Sequence, residues 1–119
     1  MADSIKKIIV KSEDELIDVV RKIVETDSER ILVTFTEDSE MLISSINLKV
    51  LLDTADEKKS LLILQITNNP TGVRNAKLAE VPVIDTPSTP TEEEWLLAES
   101  ELKKRFERIS KKKAPLPKE

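Results

Sequence analysis

The constraint that most limits what this chain can fold into is an alternation of two hydrophobic periods. Three short apolar runs, Ile8-Ile9-Val10, Ile31-Leu32-Val33-Thr34-Phe35 and Leu61-Leu62-Ile63-Leu64-Gln65-Ile66, have the length and β-branched content of buried strands. The first belongs to a strand running from Ile5 to Val10. Between the runs the pattern changes. Leu16, Val19, Val20, Ile23 and Val24 repeat at i, i+3, i+4, i+7 and i+8, the one-sided stripe of a helix, which Ser12-Glu13-Asp14-Glu15 would open as a capping box and Thr26-Asp27 would end. A second helix is expected over Ser39 to Ala55, with Ile43, Ile46, Val50, Leu51 and Leu52 on a broad apolar face. Asp56-Glu57-Lys58-Lys59 is a charged connector. Asn68-Asn69-Pro70-Thr71-Gly72 breaks the third strand, and a short helix from Val73 to Ala79 leads to Val81-Pro82-Val83-Ile84. Pro82 cannot donate to a ladder, so that last segment fits only an edge.

The order β-α-β-α-β-α-β with short connections argues for an α/β fold built on a four-stranded, mostly parallel sheet. Right-handed crossovers and helices on both faces would make it a three-layer α/β/α domain, a truncated doubly wound arrangement with strand order 2-1-3-4 over residues 1–84. Residues 85–91, Asp-Thr-Pro-Ser-Thr-Pro-Thr, read as a linker. Residues 92–113 read as an amphipathic C-terminal helix, opened by a Thr91/Glu94 capping box, with Glu92, Glu93 and Glu94 at its positive end and Lys111, Lys112 and Lys113 at its negative end. Residues 114–119 read as a disordered tail.

Composition narrows the chemistry. The 119 residues contain no His and no Cys, which removes imidazole acid–base catalysis, thiolate chemistry, disulfides and most transition-metal sites. Only Trp95, Phe35 and Phe106 are aromatic, so the core is Ile, Leu and Val. Residues 1–84 carry 11 basic and 15 acidic side chains, a poor surface for phosphate backbones, whereas residues 85–119 carry 8 of each. No apolar run approaches the roughly 18 residues of a membrane span, and Met1-Ala2-Asp3-Ser4 does not begin a signal peptide. A cytoplasmic location is the expectation.

Two groups of residues are candidates for function. Trp95, Ala98, Leu102, Phe106 and Ile109 form one apolar face of the C-terminal helix. This face either folds back over the sheet or pairs with a protein partner or a second copy. Asn68, Asn69, Thr71, Gly72 and Arg74 stand where α/β folds place ligands, beyond the carboxyl end of a central strand, and suit either a structural turn or contact with an anion or nucleotide. Neither GxGxxG nor GxxxxGK[ST] occurs. Glu37, Asp38 and Glu40 read as capping residues rather than a metal site, and no hydroxyl has a His to act as base for nucleophilic catalysis. Lys103-Lys104-Arg105, Arg108 and Lys111-Lys112-Lys113 make a basic end that could serve solubility, an anionic membrane surface or RNA.

Arg30-Ile31-Leu32-Val33-Thr34-Phe35, Ser39-Glu40-Met41-Leu42, Ile46-Asn47-Leu48-Lys49-Val50-Leu51-Leu52 and Asn75-Ala76-Lys77-Leu78-Ala79-Glu80 together resemble a pattern in bacterial proteins labelled "baseplate J-like" or hypothetical membrane proteins. The resemblance covers residues 8–84. It implies a cytoplasmic-side α/β domain followed by a basic segment and a membrane span, which this chain lacks, and it implies no catalytic residues. The rhythm is also similar to that of a ribosomal RNA-binding α/β/α sandwich, whose Gly-rich basic helix is missing. These observations lead to the expectation of a non-catalytic protein–protein interaction or assembly module without a cofactor, metal or catalytic residue. The alternatives are a small-ligand or nucleotide-binding domain using the Asn68–Arg74 loop, and RNA binding through the basic tail.

Overall fold

A computed structural model describes residues 5–113, with side chains up to Arg108. Four strands, β1 (Ile5–Val10), β2 (Arg30–Phe35), β3 (Leu61–Ile66) and β4 (Val83–Ile84), form one all-parallel sheet in the order 1-2-3-4. Helices α1 (Leu16–Glu25), α2 (Ser45–Glu57) and α3 (Pro70–Leu78) connect them, and α4 (Glu92–Lys113) follows β4. The fold is α/β as the alternation implies, but the strand order corrects the expected 2-1-3-4. Each crossover steps one strand in the same direction, so crossovers of one hand keep all three connecting helices on one face. The sheet is singly wound.

The strand parities separate two cores. Ile8, Val10, Ile31, Val33, Phe35, Leu62, Leu64 and Ile66 point toward α1–α3 and pack with Val19, Ile23, Leu48, Leu51, Leu52 and Ala76. On the opposite face Leu32 and Ile63 meet Trp95 and Ala98 of α4, with Ile5, Leu61 and Ile84 at the margin. The third layer is thus supplied by the C-terminal helix. Trp95 is 1% exposed, Ala98 and Leu102 are also buried, and Phe106 is half-buried.

Polar contacts hold α4 in place. Arg30 stacks over the Trp95 ring at 5.5 Å and donates a bidentate pair of hydrogen bonds to the Glu92 carboxylate at 2.9 and 2.8 Å. Further along the helix Arg105 makes the same fork with Asp56 of α2, at 2.7 and 2.9 Å, with both side chains mostly buried. The segment before α4 is pinned as well. Gln65, buried on the α4 face of β3, accepts from Thr34 Oγ1 at 2.8 Å and donates to the carbonyls of Thr86 and Ser88, both at 2.9 Å. Pro90 is buried. Residues 85–91 are therefore an anchored strap in this structure, against the expectation of a free linker. The Thr91/Glu94 box forms as read, with Thr91 N–H donating to Glu94 at 2.8 Å and Glu94 N–H to Thr91 Oγ1 at 3.2 Å.

Several boundaries move for local reasons. The first helix starts at Leu16, where Asp18 accepts the Glu15 N–H at 2.9 Å, three residues beyond the box read at Ser12. The segment expected as one helix from Ser39 is split into a 3₁₀ turn (Glu40–Ile43) and α2, because Ser44 adopts extended backbone and its Oγ accepts the Asn47 N–H. The third helix begins at Pro70 rather than Val73, since proline's missing donor is harmless at a first helical position. Pro82 limits β4 to two residues instead of the expected four. The side chain of Ile109 and residues 114–119 lie outside the described residues.

Two outcomes test this account of α4. Trp95→Ala should cost about 3–5 kcal/mol in denaturant unfolding, with Trp95→Phe costing much less. A full-length Trp95→Ala protein with unchanged stability would show that α4 is not part of the core. The Arg30 guanidinium, through its hydrogen bonds and charge, holds the Glu92 carboxyl below the usual carboxylate range. A lowered folded-state pKa means stabilisation that is complete above the ordinary glutamate value and lost as pH falls through the lowered one. Glu92→Gln should therefore give a shallower acid limb of stability than the parent chain, measured by Trp95 fluorescence in denaturant from neutral pH to pH 3; coincident limbs would remove the role assigned to this pair.

Candidate functional site

The Asn68–Arg74 loop does lie at the carboxyl end of β3, but its amides are engaged in closing the fold. Asn68, in the left-handed region (φ 57°) that asparagine tolerates, donates to the Glu37 carboxylate at 2.6 Å. Asn69 donates to the Glu37 carbonyl at 2.9 Å, and its Oδ1 caps α3 by accepting the Gly72 N–H at 2.9 Å. Asn75, which the sequence reading passed over, ties α3 to the carbonyl of Leu42 at 2.8 Å. Gly72 is a packing residue. A Cβ there would stand 3.1 Å from Leu42 Cβ and 3.2 Å from Ile66 Cγ2, closer than ordinary contact. Thr71 is exposed beside it. Asn68, Asn69, Pro70, Arg74, Lys77 and Asp85 line a groove of about 530 Å³, so of the five loop residues only Asn68, Asn69 and Arg74 face a common space.

The stripe on α4 is committed differently from the partner contact expected of it. Trp95 and Ala98 meet the chain's own sheet, Leu102 is buried, and Phe106 is half-buried. The basic positions do not form a uniform cationic face either. Lys103, Lys104 and Arg108 are exposed among Glu99 and Glu107, and Arg105 is held by Asp56.

The feature that sequence reasoning missed is the free edge of β1. This strand pairs through all six residues with β2, and among the described residues no strand lies beyond it. Val10 directs its carbonyl to β2, accepting the Thr36 N–H at 3.0 Å. Backbone direction alternates along a strand, so the N–H and C=O groups of Lys7 and Ile9 point away from β2. At the upper end the next outward pair, on Lys11, is closed off locally: Lys11 N–H donates to Asp14 Oδ2 at 2.8 Å, and its carbonyl accepts the Asp14 N–H at 3.0 Å. A groove of about 660 Å³ runs along this edge beneath the end of α1, lined by Lys6, Lys7, Ile8, Ile9, Lys11, Lys22, Glu25, Thr26 and Asp27. Among the described residues none of these four lysines stands within ion-pair distance of a carboxylate. Ile9 is 50% exposed, on the part of the α4 face that the helix leaves uncovered. The signal was present in the sequence, because Lys6-Lys7 interrupts what would otherwise be an apolar strand.

No family model, no curated protein and no solved structure matches this chain. No helix among the described residues is long and apolar enough to cross a membrane.

The packing role of Gly72 is testable. Gly72→Ala adds a better helix former yet should lower stability by about 1–2 kcal/mol in urea unfolding, because Leu42 and Ile66 must give way. A more stable variant would reopen the loop to a ligand role for its glycine.

Proposed function

We propose that the chain is a cytoplasmic, non-catalytic protein-binding module that receives its partner on the open β1 side of the sheet. The observation that supports this best is the contrast between the two edges. At β4 only Val83 and Ile84 pair, Pro82 adds one bond by accepting the Leu64 N–H at 2.9 Å but has no N–H to donate, and α3 and α4 flank the strand on both sides of a notch of mixed charge. At β1 six residues stand fully paired on one side and open on the other. An open strand of that length is either guarded or used. The α4 stripe fits partner binding less well, since a partner would have to displace Trp95 from Leu32 and Ile63.

Photo-crosslinking from position 7 or 9 in producing cells tests the reading. The expected result is one discrete adduct whose partner, identified by mass spectrometry and purified, rebinds the full chain, with no such adduct from position 46 on the outer side of α2. Adducts alike from all three positions, or none from the β1 edge, would overturn it.

A further inference from the structure

We infer that the β1 edge accepts an acidic, extended peptide segment as a fifth strand. The inference rests on the protein-binding reading and names the chemistry of the partner. Lys7 and Ile9 present main-chain donors and acceptors toward the groove that pair with no described residue, and these are the groups that an added strand bonds. The Asp14 turn closes the upper end at Lys11, so the docked segment is short, about five residues or 16 Å opposite Ile5–Ile9.

Charge selects the occupant. Lys6 and Lys22 stand on the α1 side of the edge, and Lys7 and Lys11 stand on the other side, by the parity that buries Ile8 and Val10 against the helices. Glu25 and Asp27, at the α1 end of the groove, are the opposing carboxylates in its lining. An added strand alternates its side chains between the two faces, so it meets lysine on both. A second chain pairing through its own β1 would bring its own four edge lysines against these four, which disfavours edge-to-edge dimerisation. A segment carrying Asp or Glu gains on both faces, and one apolar residue fits beside Ile9, the half-exposed apolar side chain of this edge.

The test uses the full chain and a fluorescein-labelled hexapeptide of alternating Glu and Val, whose period sets every Glu on the α1 face with Lys6 and Lys22 and every Val on the face of Ile9. Controls are its Lys/Val counterpart and an N-methylated Glu/Val version that keeps the charge but cannot bond as a strand. The expected result is saturable binding of the acidic peptide alone, with slowed amide exchange at Lys7 and Ile9. Reversing two lysines (Lys6→Glu with Lys22→Glu) should weaken binding by about tenfold, the sum of two exposed ion pairs. Ile9→Pro should abolish binding without touching the β1–β2 ladder, since its N–H points outward. The lysine reversal serves alone if Ile9→Pro alters the far-UV spectrum. Equal binding of the N-methylated peptide would reduce the contact to ion pairing and overturn strand addition. Equal binding of the Lys/Val peptide, or no binding of the acidic one, would overturn the choice of partner. A discrete adduct from the crosslinking experiment alongside a negative peptide result leaves the protein-binding reading standing and removes only the acidic strand.

Discussion

Three parallel crossovers that all step the same way leave one face of a four-stranded sheet bare, and Leu32 and Ile63 sit at the centre of that face. Leaving both in water would forfeit the burial of a large part of the two inner strands. The chain answers with a single aromatic side chain. Burying Trp95 removes roughly 150–250 Å² from water, of order 4–6 kcal/mol, a large share of the net stability of a domain this size. Everything after β4 serves that contact: the strap held by Gln65, the capping box at Thr91, the Arg30 fork onto Glu92 and the Arg105 fork onto Asp56.

Covering the second face also decides which edge stays open. α4 begins near Arg30 and runs toward the C-terminal end of α2, so it crosses β3 and flanks β4 while leaving the outer half of β1 exposed. Ile9 pairs in register with Thr34 but lies beyond the reach of the Trp95 cluster. One sheet thus ends in a truncated, flanked strand on one side and a long, lysine-lined strand on the other. Lysines on an edge discourage pairing with another such edge, and this guard function alone would justify them. The same charges leave acidic strands as the favoured exception. A guard and a filter are physically the same device viewed against different partners.

Element types were legible in the sequence because each segment held to one period. The strand order was misread, although the residues that decide it were visible. A central strand of a doubly wound sheet is buried on both faces, as Leu61–Ile66 is, whereas Ile5–Val10 places Lys6 and Lys7 on opposite faces and so belongs at an edge. Gln65 similarly announced a polar anchor inside an apolar run. What could not be read was the fate of the α4 stripe. Its 3-4-4-3 spacing suits a groove on another protein as well as a sheet of its own, and only the singly wound topology, which creates the bare face, chooses between them. The role of the loop glycine was hidden for a related reason. A Gly beside Pro and Asn suits a structural turn and an anion contact alike, while the need for it comes from Leu42, thirty residues away in sequence.

The competition between the two candidate surfaces follows from these energies. A partner groove that took Trp95 would have to repay its removal from the sheet and re-cover Leu32 and Ile63, so its net affinity starts from a deficit of several kcal/mol. An added strand at β1 displaces none of the described residues. Its main-chain bonds are blind to sequence, and each contributes only about 1 kcal/mol net. Discrimination then has to come from the side chains flanking the edge. Lys6, Lys7, Lys11 and Lys22 outnumber Glu25 and Asp27 among the charged groups there, which is why the chemistry of the partner can be read from an edge whose backbone would accept any strand.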